Sequence, residues 1–64
     1  MDRLKLASIY ENIGMILEQM NKFGKSLEYH HKCLELQMEL FKYNDNRIMT
    51  THENIIRING KISK

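Results

Sequence analysis

An all-α fold of three helices is the structure that this 64-residue sequence predicts. The chain has no proline, no valine and only three glycines, so it lacks the turn density and β-branched alternation of a small β domain. It is rich in Leu, Met, Glu, Lys and Gln, which favour helix. Apolar residues also recur at steps of three and four in three segments, which is the period of an amphipathic helix.

The first helix is predicted over residues 3–20, with Asp2 as the N-cap because a short carboxylate accepts hydrogen bonds from free backbone amides. Its side chains of helical period are Leu6, Ile9, Tyr10, Ile13, Ile16, Leu17 and Met20. The second helix is predicted over residues 25–43, after the interruption at Asn21-Lys22-Phe23-Gly24.

The third helix is predicted over residues 47–60, with any residue of the polar triplet 44–46 as its cap. Asn59-Gly60 is a helix-ending pair, so we expect the last turn to fray or stop there. Short connections then require neighbouring helices to run antiparallel within one unit spanning residues 1–64.

Charge and composition exclude several classes of partner. The net charge is +2 with alternating signs, so neither nucleic acid nor an anionic membrane surface is expected to bind. The longest strictly apolar run, residues 15–17, is too short for a signal peptide or a membrane span. A single cysteine, Cys33, suits a reducing compartment, and the cytoplasm is the expected location. Because so small a core is marginal, a homo-oligomer or a larger assembly is also expected.

The third segment repeats the first. A shift of 42 residues superposes 22 positions, of which five are identical where about one or two would match by chance. The identical pairs are Glu11 and Glu53, Asn12 and Asn54, Ile13 and Ile55, Ile16 and Ile58, and Lys22 and Lys64. The chain therefore reads as one and a half units of a helical repeat, and we expect it to be a piece of a longer array.

Residues 7–14 and 23–36 resemble a tetratricopeptide repeat (TPR), and the match covers about residues 7–62. Tyr10, Ile13 and Gly14 stand where that family has an aromatic, a leucine and a small residue, whereas Asn21 replaces its turn glycine. The 42-residue period is similar to the long repeats of kinesin light chain. The resemblance implies an α-solenoid: an antiparallel hairpin, in which Gly14 allows close approach, followed by the first helix of the next repeat.

The resemblance also implies non-catalytic binding of a peptide or a partner helix, and an association with the cytoskeleton or cilium. In the family the first helices present a concave groove, and the matching positions are Ser8, Glu11, Asn12, Met15, Thr50, Asn54 and Arg57. Asn12 and Asn54 can grip an extended peptide because an amide both donates and accepts, or they can tie adjacent helices together. The other methionines, Met20, Met38 and Met49, are expected on or beside the core.

A cofactor, a metal and an enzymatic activity are not expected. His30, His31, Cys33 and His52 form the one cluster with metal-ligating residue types, and two ligands on one helix face do not make a site. By the resemblance, Cys33 and His30 pack between helices, where a thiol is inert, and His31 is solvated. Three alternatives stay open: a small structural subunit of a larger complex, self-pairing through helices two and three, and a metal-responsive or thiol enzyme.

Overall fold

The computed structural model describes residues 2–63 as three helices: α1 (Arg3–Gln19), α2 (Phe23–Leu40) and α3 (Asn46–Ile62). The predicted all-α fold is confirmed, since this described part of the chain holds no strand. None of its helices is long and apolar enough to span a bilayer.

Neighbouring helices run antiparallel. Near one end of the α1–α2 pair Arg3 contacts Glu39, and towards the other the Ser26 hydroxyl donates to the Gly14 carbonyl at 2.6 Å. Between α2 and α3, Thr51 contacts Gln37, and Lys61 lies over the Phe23 ring. Consequently α1 and α3 point in the same direction.

The predicted cap Asp2 is confirmed, and of the predicted triplet 44–46 it is Asp45 that caps α3. Asp2 Oδ1 accepts from the Leu4 amide at 2.9 Å, and Asp45 Oδ1 accepts from the Arg47 amide at 2.9 Å. Each carboxylate satisfies a backbone donor that has no partner within the helix and places negative charge at the positive end of the helix dipole. The starts of α1 and α3 are thus encoded locally.

The reversal between α1 and α2 is made at Asn21, whose φ of 61° is left-handed. Asparagine is the residue that best replaces glycine in this conformation, because its short polar side chain tolerates it. The Asn21 amide bonds to the Glu18 carbonyl and the Lys22 amide to the Leu17 carbonyl, at 3.0 and 2.9 Å. These two bonds close α1, so α2 can begin at once.

The helix bounds differ from the predicted ones at three ends. Phe23 and Gly24, predicted as breakers, form the first turn of α2, because Asn21 has already reversed the chain. The helix α2 ends at Leu40 rather than near 43, since Phe41 is extended. The predicted stop at Gly60 was wrong: α3 continues to Ile62, and the Ser63 amide still bonds to the Asn59 carbonyl.

The core is built around one face of α2 whose side chains are polar or small: Ser26, His30, Cys33 and Gln37. The close approach expected at Gly14 is confirmed, because a Cβ there would lie 2.8 Å from His30 Nε2. The larger apolar contribution comes from α3, which buries Ile48, Ile55 and Ile58. His30 and Cys33 are buried between helices and His31 is exposed, as expected.

Part of the predicted core is not buried. On α1, Ile9, Ile16 and Met20 are 42, 56 and 55% exposed, and Met38 and Met49 are 60 and 54% exposed. The expectation that these side chains pack in or beside the core was wrong for this chain. The physical reason is that α1 has one main neighbour, α2, and meets it through Ala7 and Gly14 instead.

Candidate functional site

A groove lies between the N-terminal halves of α1 and α3, above the C-terminal end of α2, and we call it the α1–α3 groove. Its volume is about 220 Å³. Its lining residues are Leu4, Ala7, Ser8, Glu11, Gln37, Phe41, Asn46, Arg47 and Thr50. Sites for drug-sized molecules occupy roughly 300–1,000 Å³, so this groove suits a single side chain better than a whole small molecule.

The floor of the groove is held by Gln37, which is 7% exposed. Its Oε1 accepts from the Thr51 hydroxyl at 2.7 Å. That hydroxyl oxygen also lies 3.1 Å from the Arg47 carbonyl, but its one hydrogen favours the shorter contact. The oxygen of the Gln37 amide is therefore engaged, and its nitrogen is the group left to donate into the groove.

Arg47 forms one wall and is paired with Asp45 and Phe41. Its Nε and Nη2 donate to the two Asp45 carboxylate oxygens at 2.9 and 2.8 Å, and its guanidinium lies 3.6 Å from the Phe41 ring centroid. These hydrogen bonds lower the pKa of Asp45 to about 2 and raise the pKa of Arg47. Because the charges of the pair cancel locally, the wall at the start of α3 carries little net charge.

Glu11 forms the opposite wall. It is half-buried, and no lysine or arginine among residues 2–63 lies within ion-pair distance of its carboxylate. The uncompensated charge of the groove is therefore negative.

Beyond the groove, Glu18 links α1 to α3. Arg57 Nη2 donates to its Oε1 at 2.6 Å and Lys61 Nζ to its Oε2 at 2.8 Å, while Asn54 Oδ1 accepts from Arg57 Nη1 at 2.9 Å. These hydrogen bonds, Arg57 first, lower the pKa of Glu18 to about 2. The cluster holds the C-terminal halves of the two helices together.

The structure distributes the seven predicted site residues over three places. Ser8, Glu11 and Thr50 line the α1–α3 groove. Asn54 and Arg57 belong to the Glu18 cluster, where Arg57 reaches α1 and Asn54 contacts Arg57 within α3. The other two, Asn12 and Met15, are exposed on α1 outside the groove lining.

Three residues that line the groove were not predicted from the sequence: Gln37, Phe41 and Arg47. For Gln37 a signal exists, since it lies seven residues after His30 and four after Cys33, on the same buried face. Phe41 and Arg47 meet through the chain reversal between α2 and α3, which no local pattern specifies.

His30 and Cys33 are both fully buried between the helices. His30 is 0% exposed, neither ring nitrogen has a hydrogen-bond partner within residues 2–63, and burial lowers its pKa. Burial raises the pKa of the Cys33 thiol, whose Sγ lies 4.0 Å from Thr51 Oγ1. A neutral, enclosed thiol is a poor nucleophile. In the same described part of the chain, no group of three metal-ligating side chains converges.

Comparisons with family models, with curated proteins and with solved structures give no match for this chain. The class of this protein is therefore defined by its fold only: residues 2–63 form a three-helix, all-α structure. Its two distinctive surfaces are the α1–α3 groove and the exposed apolar row of Ile9, Ile16 and Met20, which we call the α1 row.

Proposed function

We propose that this protein is a non-catalytic, TPR-like binding module that holds a peptide segment of a partner protein in the α1–α3 groove. The observation that supports it most is the groove itself. Two helices with parallel directions and related sequences form its sides, and three side chains selected from the sequence alone, Ser8, Glu11 and Thr50, line it.

The register of the two helices supports a repeat arrangement. Glu18 pairs with Arg57 and Lys61, and these residues flank residue 60, which is the position 42 residues after Glu18. The sequences of α1 and α3 align with a shift of 42 residues, and the residues of α3 that pair with Glu18 lie 39 and 43 residues after it, so the two values are close. Side-by-side stacking of equivalent helices is how helical repeats bury apolar surface.

The groove suits an extended segment with one anchoring side chain. Ser8 and Thr50 place a hydroxyl on each rim, and the Gln37 amide offers a donor on the floor. Such groups can satisfy a peptide backbone while one side chain fills the cavity. A protein with a buried free thiol suits a reducing compartment, so we propose a cytoplasmic location, with cytoskeletal or ciliary association as the kinesin light chain resemblance implies.

Filling the groove tests the proposal. Binders are selected from a displayed library of seven-residue peptides against the full chain, and their affinity is then measured for T50W and H52W. Thr50 lines the groove, whereas His52 is exposed on the same helix outside its lining, so H52W is the matched control. Binding should be lost in T50W and kept in H52W. Equal affinity for both variants, or no selected peptide, would contradict a groove site.

The α1 row supports a second candidate function, a structural unit that packs against a partner helix. Under the 42-residue shift its members Ile9, Ile16 and Met20 correspond to Thr51, Ile58 and Ile62 of α3. Thr51 and Ile58 are fully buried against α2, whereas their counterparts on α1 are about half exposed. The partner that fits is a helix with a contacting face like that of α2, small and polar along its centre.

Sedimentation tests this second candidate. I16E should abolish association with copies or partners while leaving the fold intact, because Ile16 is 56% exposed. M15E is the matched control, since Met15 is 46% exposed on the same helix outside the α1 row. A folded wild-type monomer at micromolar concentration that also elutes alone from extract would rule out a packing role.

A further inference from the structure

The chemistry of the α1–α3 groove narrows the class of its ligand, and Glu11 is the starting point. Glu11 is a half-buried residue that lines this small cavity, and it has no lysine or arginine partner among residues 2–63. A carboxylate that is partly withdrawn from water gains from a cation more than an exposed one does, because the surrounding dielectric is lower. Glu11 therefore favours a positively charged occupant.

The charged groups nearest the groove are engaged elsewhere. Arg47, on the facing wall, is held by two hydrogen bonds to Asp45 and lies against Phe41. His30 is fully buried in the core, and burial lowers its pKa, which disfavours the charged form. The N-terminus of α3, which would otherwise attract an anion, is already capped by Asp45.

Three of the nine lining residues are apolar, namely Leu4, Ala7 and Phe41. Ala7 and Phe41 lie along the floor, and Leu4, which is 46% exposed, stands at the open end. The cavity of about 220 Å³ has room for one long side chain. Lysine and arginine combine a hydrocarbon stem with a terminal cation, so the stem can cover the apolar surface while the cation reaches a carboxylate.

We propose that the α1–α3 groove selects a peptide segment with a lysine or arginine as its anchor, whose cation pairs with Glu11 and whose methylene stem lies against Leu4, Ala7 and Phe41. This inference rests on the proposed function, because it names the ligand of that same groove. It predicts a preference for basic over neutral and acidic anchors, which the overall charge of +2 does not suggest.

The test is an NMR titration of the full ¹⁵N-labelled chain with five capped heptapeptides of glycine and serine. Their central residue is lysine, arginine, Nε-acetyl-lysine, norleucine or glutamate. Lysine and acetyl-lysine differ in charge, and norleucine has the apolar stem without a cation. The lysine and arginine peptides should bind about tenfold tighter than the other three, with amide shifts at Ser8, Glu11 and Thr50.

Charge variants of the protein sharpen the result. E11Q should reduce the affinity for the lysine peptide to that for acetyl-lysine, and E11K should reverse the preference towards glutamate. The matched control is E53Q, which makes the same charge change 42 residues later, at an exposed position outside the groove lining. E53Q should leave every affinity unchanged.

The outcomes separate the two claims. Equal binding of the lysine and norleucine peptides, or tighter binding of the glutamate peptide, would overturn the cationic anchor while the groove remained a peptide site. If the lysine peptide shifts the Ser8 and Thr50 amides as strongly in E11Q as in the wild type, the cationic anchor is likewise overturned. If none of the five peptides shifts any groove amide, and T50W and H52W also bind library peptides alike, the proposed function itself fails.

Discussion

The helices α1 and α3 are two versions of one sequence pattern that the fold uses differently. Each has 17 residues, begins after an aspartate cap and points the same way. Yet α3 buries Ile48, Ile55 and Ile58, whereas α1 buries Ala7 and Gly14 and leaves the α1 row half in water. A row of apolar side chains in the sequence thus identifies a helix face that can pack against another helix. Whether that face is buried depends on which helices lie next to it.

The cause of this difference lies in α2. One helix cannot cover the large apolar rows of two others, and α2 meets α1 where His30 approaches Gly14. That approach turns the small residues of α1 inward and rotates the α1 row away from α2.

Truncating equivalent isoleucines should give the largest contrast. I58A removes a side chain that is fully buried and should cost about 2–4 kcal/mol of unfolding free energy. I16A, 42 residues earlier, should cost less than about 1 kcal/mol because Ile16 is 56% exposed. Urea unfolding of both variants measures the difference. Equal losses would show that Ile16 is buried in solution, which is the result expected of an associating chain.

Alanine at two glycines should shift stability in opposite directions. G14A places a Cβ 2.8 Å from His30 Nε2 in a packed core, so it should destabilise the fold by about 1–3 kcal/mol. G60A meets nothing within 4 Å in the exposed last turns of α3 and should stabilise it by up to about 1 kcal/mol through helix propensity. Thermal unfolding followed by circular dichroism checks the signs. A stable G14A would contradict the close helix approach.

Mild acid should loosen α2 from both of its neighbours. Burial lowers the pKa of His30 below 6.5, so the unfolded chain binds this proton at a higher pH than the folded chain. Stability should therefore be greatest above about pH 6.5 and fall as the pH drops towards 5. The groups that act on His30 are Glu11 and Glu18 from α1, His31 from α2 and Arg57 from α3.

Urea unfolding at several pH values measures this slope. The pKa of Glu18 is about 2, so its own titration weakens the fold only below pH 4.5 and leaves the range from about 7 to 5 to His30. H30L should flatten the slope, whatever its effect on absolute stability, and H31Q should keep it. A wild-type slope that survives in H30L would assign the effect to another group.

The smallest effect should come from the cluster that joins α1 to α3. E18Q weakens three charge-assisted hydrogen bonds from the half-exposed Arg57 and Lys61, and should cost about 0.5–1 kcal/mol, less in high salt. E53Q is the control, since Glu53 is an exposed glutamate of α3. Chemical denaturation at low and high salt compares them. An identical loss in both variants would mean that the cluster does not couple the helices.

Local features of the sequence specify most of the fold. The aspartate caps at Asp2 and Asp45 and the period of the apolar residues predict three helices and their starts to within two residues. Their ends were harder to predict, because Gly60 is a stop signal only where the chain turns, and here α3 continues without a left-handed residue. Which face of α1 is buried depends on the contact between Gly14 and His30, and this tertiary contact is not encoded in the local sequence.

The groove was predictable in part. Ser8, Glu11 and Thr50 were chosen because they match the first-helix groove positions of the TPR family, and all three line the groove. Gln37 and Arg47 could not be assigned in this way, since they reach the groove from the end of α2 and from the first turn of α3. That Glu11 has no ion-pair partner among residues 2–63 could not be predicted, because ion pairs between helices depend on the tertiary structure.

The buried positions of α2 carry no aliphatic side chain, and that limits how the helices can slide. An aliphatic helix–helix interface tolerates a shift of one helical turn, because one aliphatic side chain then takes the place of another. Here the Ser26 hydroxyl must reach the Gly14 carbonyl and Gln37 must meet Thr51, and displacement would strand these groups in a dry interior at about 1–3 kcal/mol each. Hydrogen-bonding demand, more than shape, thus fixes a single alignment of the bundle.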